Sequence, residues 1–161
     1  MNVADRSDSI NTNIKLWIKN NSRFFSSLEE EEISQFLCFC ELWKMDESEL
    51  LWSEGDDDNY AAFILSGKVG IKKKTEFGDQ QVIVGTYNSG TVIGELCLLT
   101  ENRRTVTALA LESVSLLILS NKGLENLTCT HPMLGLKLLK YIFILTCRRL
   151  NQSYDRMASI F

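Results

Sequence analysis

Between Cys38 and Leu119, short apolar segments alternate with turn residues at intervals of about ten, the signature of an antiparallel sandwich or barrel. Candidate strands are Phe39–Met45, Leu50–Trp52, Ala61–Leu65, Lys68–Lys73, Gln81–Tyr87, Thr91–Ile93, Thr105–Leu111 and Ser115–Leu119. Gly55, Gly67, Gly78, Gly90 and the run Asp56-Asp57-Asp58-Asn59 punctuate them. Eight short strands suit a jelly roll.

Helices are expected on both sides of this region. Ile14, Leu16, Trp17 and Ile18 predict a short helix, with Phe24 and Phe25 anchoring the next turn. Ser27-Leu28-Glu29-Glu30 reads as a capping box opening a helix to about Leu37. After the strands, Ser120 or Asn121 caps a short helix to about Leu127. The only proline, Pro132, suits a first helical turn and opens a long helix to roughly Arg156. Its middle, Leu138 to Leu145, is apolar nearly all round apart from Lys140. Such a helix is covered on more than one side. One side is expected on the barrel and the other on a second copy, which predicts a homodimer through the C-terminal helix. The expected fold class is therefore α+β, an eight-stranded antiparallel β-jelly roll flanked by N-terminal helices and a long C-terminal helix. The chain reads as a single domain, 1–161, with a flexible N-terminus (1–13), N-terminal helices (14–37), a β-roll (38–119) and C-terminal helices (120–161).

Composition removes several function classes. Apolar residues make up 45% and charged residues 24% of the 161 positions, and the net charge is −4. That is a globular composition without the basic field of a nucleic-acid binder, so no DNA partner is expected. Asn2 to Asn13 carry no apolar secretory core. The longest apolar run, Leu134 to Cys147, is interrupted by Lys137 and Lys140, which argues against membrane insertion. Five cysteines, an odd number without paired spacing, fit reduced thiols and a cytoplasmic location. Cys38 and Cys40 read as small apolar side chains on one face of a strand rather than as metal ligands. The one histidine, His131, precedes Pro132, where it helps cap a helix; a metal-dependent barrel enzyme needs several. No Ser–His or Cys–His pairing is suggested, so no enzyme is expected. Asp56–Asp58 lack the alternating ligands of a calcium loop. Trp17, Trp43 and Trp52 read as packing residues rather than a base-stacking cage.

The segment Gly94-Glu95-Leu96-Cys97-Leu98-Leu99-Thr100-Glu101-Asn102-Arg103-Arg104-Thr105 carries the chemistry. A strand ends at Ile93, and Gly94 permits close backbone approach. Glu95 to Leu99 form a turn or one helical turn whose first N–H groups are unpaired, a ready anion site. Leu96, Leu98 and Leu99 are expected to bury this hinge against the barrel. Arg104 is expected to begin the next strand and can fork onto phosphate oxygens, and Thr105 adds a hydroxyl. In isolation, a glutamate and an arginine nine residues apart, such as Glu95 and Arg104, read as a structural ion pair; the surrounding residues change that reading.

The wording of the segment resembles the phosphate-binding cassette of cyclic nucleotide-binding domains: Gly-Glu-Leu-x-Leu-Leu, then Arg-Thr-x-Thr at 104–107. Cys97-Leu98-Leu99-Thr100-x-x-Arg103-Arg104-Thr105 is similar to cyclic nucleotide-regulated channels, which share Arg103 in place of the usual proline and Cys97 in place of the usual alanine. Phe63-Ile64-Leu65-Ser66-Gly67-Lys68-Val69 and Leu51-x-x-Glu54-Gly55-Asp56 resemble the family's preceding strands and turn. His131-Pro132-x-Leu134-Gly135-x-Lys137-Leu138-Leu139, ending in Arg148-Arg149-Leu150, resembles the C-terminal helix of bacterial members. The resemblance covers about residues 30–152.

By that resemblance, Arg104 is expected to pair with the cyclic phosphate and Glu95 to accept from the ribose 2′-OH. The N–H groups of Leu96, Cys97 and Thr105 would contact phosphate oxygens, and Ile93 and Ile71 would pack on sugar and base. Arg148, Arg149, Ser153 or Tyr154 could cap the base. The ligand is cAMP or cGMP with no further cofactor, and a leaning to cAMP comes from bacterial relatives. Thr105 could hydrogen-bond a guanine amino group, an effect of about tenfold at most. The function implied is a non-catalytic sensor that repositions its C-terminal helix. About ten residues follow Leu150, too few for a DNA-binding module, so output would pass to an effector protein in trans. The alternative is a degenerate member that acts as a nucleotide-independent interaction or dimerisation module.

Overall fold

The computed structural model describes residues 15–75, 80–100 and 102–159. The expected flexible N-terminus, Ile14 and the Gly78 turn lie outside the described residues. Three helices come first: α1, helical over 15–21, α2 (Arg23–Ser26) and α3 (Glu30–Leu37). Eight strands follow: β1 (Cys40–Met45), β2 (Leu50–Trp52), β3 (Tyr60–Ser66), β4 (Lys68–Lys74), β5 (Gln81–Asn88), β6 (Val92–Ile93), β7 (Thr107–Ala110) and β8 (Val114–Ser120). The short helix α4 (Glu95–Leu99) interrupts them between β6 and β7, and α5 (Asn121–Thr130) and α6 (Pro132–Ala158) close the order. The strands form two antiparallel four-stranded sheets, β1-β8-β3-β6 and β2-β7-β4-β5. This is the α+β jelly roll with flanking helices and a long C-terminal helix.

Strand β3 shows how the core is partitioned. Successive side chains of a strand point to opposite faces. Ala61, Phe63 and Leu65 face the helices, whereas Tyr60, Ala62 and Ile64 face the interior of the roll. Both faces are buried, so β3 is apolar nearly throughout. On the helix side, Phe24, Phe25 and Phe36 pack edge-on to one another and close to Phe63, with ring centroids 5.0–6.0 Å apart. Leu124 and Leu127 of α5 and Leu134, Leu138 and Ile142 of α6 complete that layer. Lys137 of α6 pairs with Glu32 of α3, and its hydrogen bond is the main reason the Glu32 carboxyl titrates below its usual range.

Several local expectations are corrected. The box that opens α3 is Glu29 with Glu32, whose side chain accepts from Glu29 N at 3.0 Å. Ser27 instead donates its hydroxyl to Phe24 O at 2.7 Å. Cys38 is the C-cap of α3 and Cys40 begins β1, so the two do not share a strand face. Ser120 is the cap of α5 and accepts from Gly123 N at 3.0 Å. The long helix reaches Ala158. It buries Leu134, Gly135, Leu138 and Ile142 and leaves Leu136, Phe143, Ile144 and Leu150 exposed, so in the single chain only one side is covered. Among the described residues, no helix is long and apolar enough to cross a membrane.

Candidate functional site

Strand β6 delivers Ile93 into the interior of the roll, and the chain then turns sharply at Gly94. Gly94 has φ +74, a conformation side-chain-bearing residues rarely adopt. A Cβ there would also meet Arg104 Nη1 at 2.6 Å and Tyr60 O at 3.0 Å. Helix α4 starts immediately after, so the N–H groups of Leu96 and Cys97 fall in its first turn, where no intrahelical acceptor exists. Only part of this hinge is buried. Leu98 is fully enclosed and Cys97 nearly so, whereas Leu96 and Leu99 are exposed. Residues 96 and 99 share one side of the helical turn, and that side faces outward.

The backbone on either side of Arg104 is clamped by the β2–β3 loop. Gly55 N donates to Arg104 O at 2.7 Å and Arg104 N donates to Asp56 O at 2.8 Å. Glu54 N donates to Thr107 Oγ1 at 2.9 Å. Lys73 of β4 pairs with Glu54 and donates to Thr105 O at 2.6 Å. The acidic turn is exposed to solvent, and its backbone at Gly55 and Asp56 holds the cassette arginine in place. Strand β7 begins only at Thr107, so Arg104 and Thr105 lie in the loop before it.

The Arg104 side chain is 3% exposed. Its guanidinium carbon lies 3.9 Å from the Trp52 ring centroid and 4.5 Å from that of Tyr60. Its Nη2 donates to Tyr60 O at 2.9 Å, and its Nε has no hydrogen-bond partner among the described residues. A buried donor without an acceptor is costly in a finished core and is what an anion site requires. The Tyr60 hydroxyl donates to Leu51 O at 2.7 Å, and burial pushes its pKa up to about 12.

Glu95 is also buried, and its ion-pair partner is Arg149 of α6 rather than Arg104. Arg149 Nη1 lies 2.8 Å from Glu95 Oε1, and its Nη2 donates to Val92 O at 2.6 Å and to Thr91 Oγ1 at 3.2 Å. The guanidinium also lies over the Tyr87 ring, 4.6 Å from its centroid.

All eight residues expected to hold a nucleotide line one cavity of about 260 Å³: Ile71, Ile93, Gly94, Glu95, Leu96, Cys97, Arg104 and Thr105. Of the four base-capping candidates, only Arg149 lines it. Arg148 and Ser153 line a separate cleft, and Tyr154 is exposed and lines neither. Trp52 and Tyr87 also border the cavity and were not anticipated there. The position of Trp52 just before Glu54-Gly55-Asp56 was the one available hint, because that turn clamps Arg104. Among the described residues, no group of three or more His, Cys, Asp or Glu could hold a metal ion.

Known proteins share this fold. The chain is 25% identical over 109 residues to the lysophospholipase NTE1 of Phaeosphaeria nodorum, a match that takes in 67% of this chain and spans 7% of that protein's length. A cyclic nucleotide-binding domain from Methylobacillus flagellatus superposes with a TM-score of 0.81 at 23% identity, covering 96% of this chain and 86% of that one. The regulatory domain of Toxoplasma gondii PKA, solved with cAMP, superposes with a TM-score of 0.60 at 23% identity, covering 70% and 43%. The family profile described as cyclic nucleotide-binding domain matches residues 42–131, more than half of the sequence. With the cassette, the roll and this match in agreement, the chain belongs to the cyclic nucleotide-binding domain family.

Proposed function

We propose that this chain is a non-catalytic cyclic nucleotide sensor whose C-terminal helix reports occupancy of the cassette. The observation that carries the reading is Arg149, a residue of α6 that grips Glu95 inside the cassette cavity. In this reading the cyclic phosphate meets Arg104 and the N–H groups of Leu96, Cys97 and Thr105, and Glu95 accepts from the ribose 2′-OH. Ile71 and Ile93 pack on sugar and base.

Size supports a moving part. The cavity, about 260 Å³, lies below the roughly 300–1,000 Å³ of ordinary small-molecule pockets. A nucleotide therefore enters by enlarging it, and the wall able to move as a unit is α6 with Arg149. A ligand shifts such an equilibrium only by its differential affinity for the two placements. Here the ribose hydroxyl and the Arg149 guanidinium draw on the same Glu95 carboxylate, which supplies that difference.

We assign cAMP as the favoured ligand, as in the regulatory domain of Toxoplasma gondii PKA solved with it, with cGMP as the competitor through the exposed Thr105. Output passes to an effector protein or to a second copy. The exposed apolar side chains Leu136, Phe143, Ile144 and Leu150 of α6 support a homodimer. The net charge of −4 favours protein output over DNA contact.

The rival reading is a nucleotide-independent interaction module. It draws on the stacking of Arg104 against Trp52 and Tyr60, which would also suit a purely structural arginine. Calorimetric titration with cAMP and cGMP separates the two. Saturable binding at micromolar concentrations supports the sensor. No heat and no thermal stabilisation at millimolar nucleotide supports the module.

A further inference from the structure

A second cleft, of about 790 Å³, lies between α6, α2 and the β5–β6 turn. Four arginines line it, Arg23 from α2 and Arg148, Arg149 and Arg156 from α6, and no carboxylate does. This is a concentrated positive site on a chain whose net charge is −4. Among the described residues the ion pairs are Lys73–Glu54, Lys137–Glu32 and Arg149–Glu95. Among the described residues, Arg23, Arg148 and Arg156 thus line the cleft without a carboxylate partner.

The arginines converge. Burial raises the Tyr141 phenol pKa; Arg149, Arg23 and Arg148 all oppose that shift, and Glu95, the partner of Arg149, adds to it. The wall opposite α6 is closely packed: at Gly90 a Cβ would meet Asn21 O at 2.1 Å, so the turn is pressed directly onto α1. Like charges held together repel, and a planar guanidinium fork matches phosphate oxygens two at a time. A cleft of this volume falls in the range that encloses a whole small molecule.

We propose that this cleft binds a small molecule bearing a polyphosphate chain, held by Arg23, Arg148 and Arg156. The site is distinct from the cassette: Arg104 does not line it, and only Tyr87 and Arg149 border both. It does not depend on the cassette binding a cyclic nucleotide.

The test is calorimetric titration of the full chain, at fixed ionic strength with EDTA, using inorganic tripolyphosphate and separately ATP. Saturable binding of tripolyphosphate is expected, unchanged in Arg104→Lys and in Lys44→Gln, a β1 lysine outside the cleft. Arg148→Gln and Arg23→Gln are expected to weaken it about tenfold or more, the loss of charge-assisted hydrogen bonds. Both arginines are exposed, so these variants keep their fold, which unliganded melting curves check. Tighter binding of ATP supports the proposal and adds a contact to the nucleoside; equal binding supports it with the phosphate chain alone recognised. Three results overturn it: no saturation at millimolar tripolyphosphate, an equal loss in Lys44→Gln, or a loss in Arg104→Lys with retention in Arg148→Gln.

Discussion

Arg149 Nη1 lies 2.8 Å from Glu95 Oε1, an ion pair between residues far apart in sequence that ties the last helix to the cassette. The same guanidinium donates to Val92 O, so α6 also holds the end of β6. Arg149 therefore acts on the two segments that frame Gly94.

Arg149→Met is expected to destabilise the chain. It leaves Glu95, 7% exposed, as a buried carboxylate without its cation, and it orphans the carbonyl of Val92. The lost charged hydrogen bonds correspond to about 1–3 kcal/mol. Urea denaturation of the variant beside the parent checks this, and a midpoint within error of the parent would show the contact to be idle.

Arg104→Lys is expected to separate binding from charge. Lysine keeps the positive charge but loses the fork and the stacking on Trp52 and Tyr60. Cyclic nucleotide affinity should fall at least about tenfold, the loss of one or more charge-assisted hydrogen bonds. Stability should also fall, because a desolvated cation–π contact contributes up to about 2 kcal/mol. Titration and melting of the same sample measure both. Unchanged affinity with lowered stability would make Arg104 purely structural.

These two arginines mark the limit of what the sequence could say. The strands were legible because short apolar segments punctuated by turn residues are local signals, and all eight predicted strands have counterparts. The cassette was legible as a string, and its residues do converge on one cavity. The partner of Glu95 was not, because Arg149 is brought there by the packing of α6, which involves Leu138 and Ile142. Nor was the Trp52–Arg104–Tyr60 stack, which joins residues from β2, β3 and the loop before β7. The cap of α3 was misplaced by two residues because a glutamate served as N-cap where serine is the commoner choice.

Gly94→Ala is expected to disrupt both halves of the cassette. The residue's φ of +74 strains any side chain, and the new methyl would press on Arg104 Nη1 and the carbonyl of Tyr60. A non-glycine residue held in such a region costs about 1–3 kcal/mol. Displacement of the guanidinium from Trp52 should also change the tryptophan emission spectrum. An unaltered spectrum and melting point would mean that the turn relaxes without cost.

Phe143→Glu addresses the second copy. Phe143 is 70% exposed, the most exposed large apolar side chain on α6, so the substitution should leave the isolated chain folded. Light scattering coupled to size exclusion should show a dimer for the parent and a monomer for the variant. A parent that elutes as a monomer at high concentration would remove the homodimer from the account.

The most direct test of the central claim is amide hydrogen exchange across α6, residues Pro132–Ala158, with and without saturating cAMP. The account predicts that the nucleotide changes protection in the segment around Arg149, and that the change disappears in Arg149→Met even when that variant is saturated. Saturable cAMP binding with identical α6 protection in both states would contradict it.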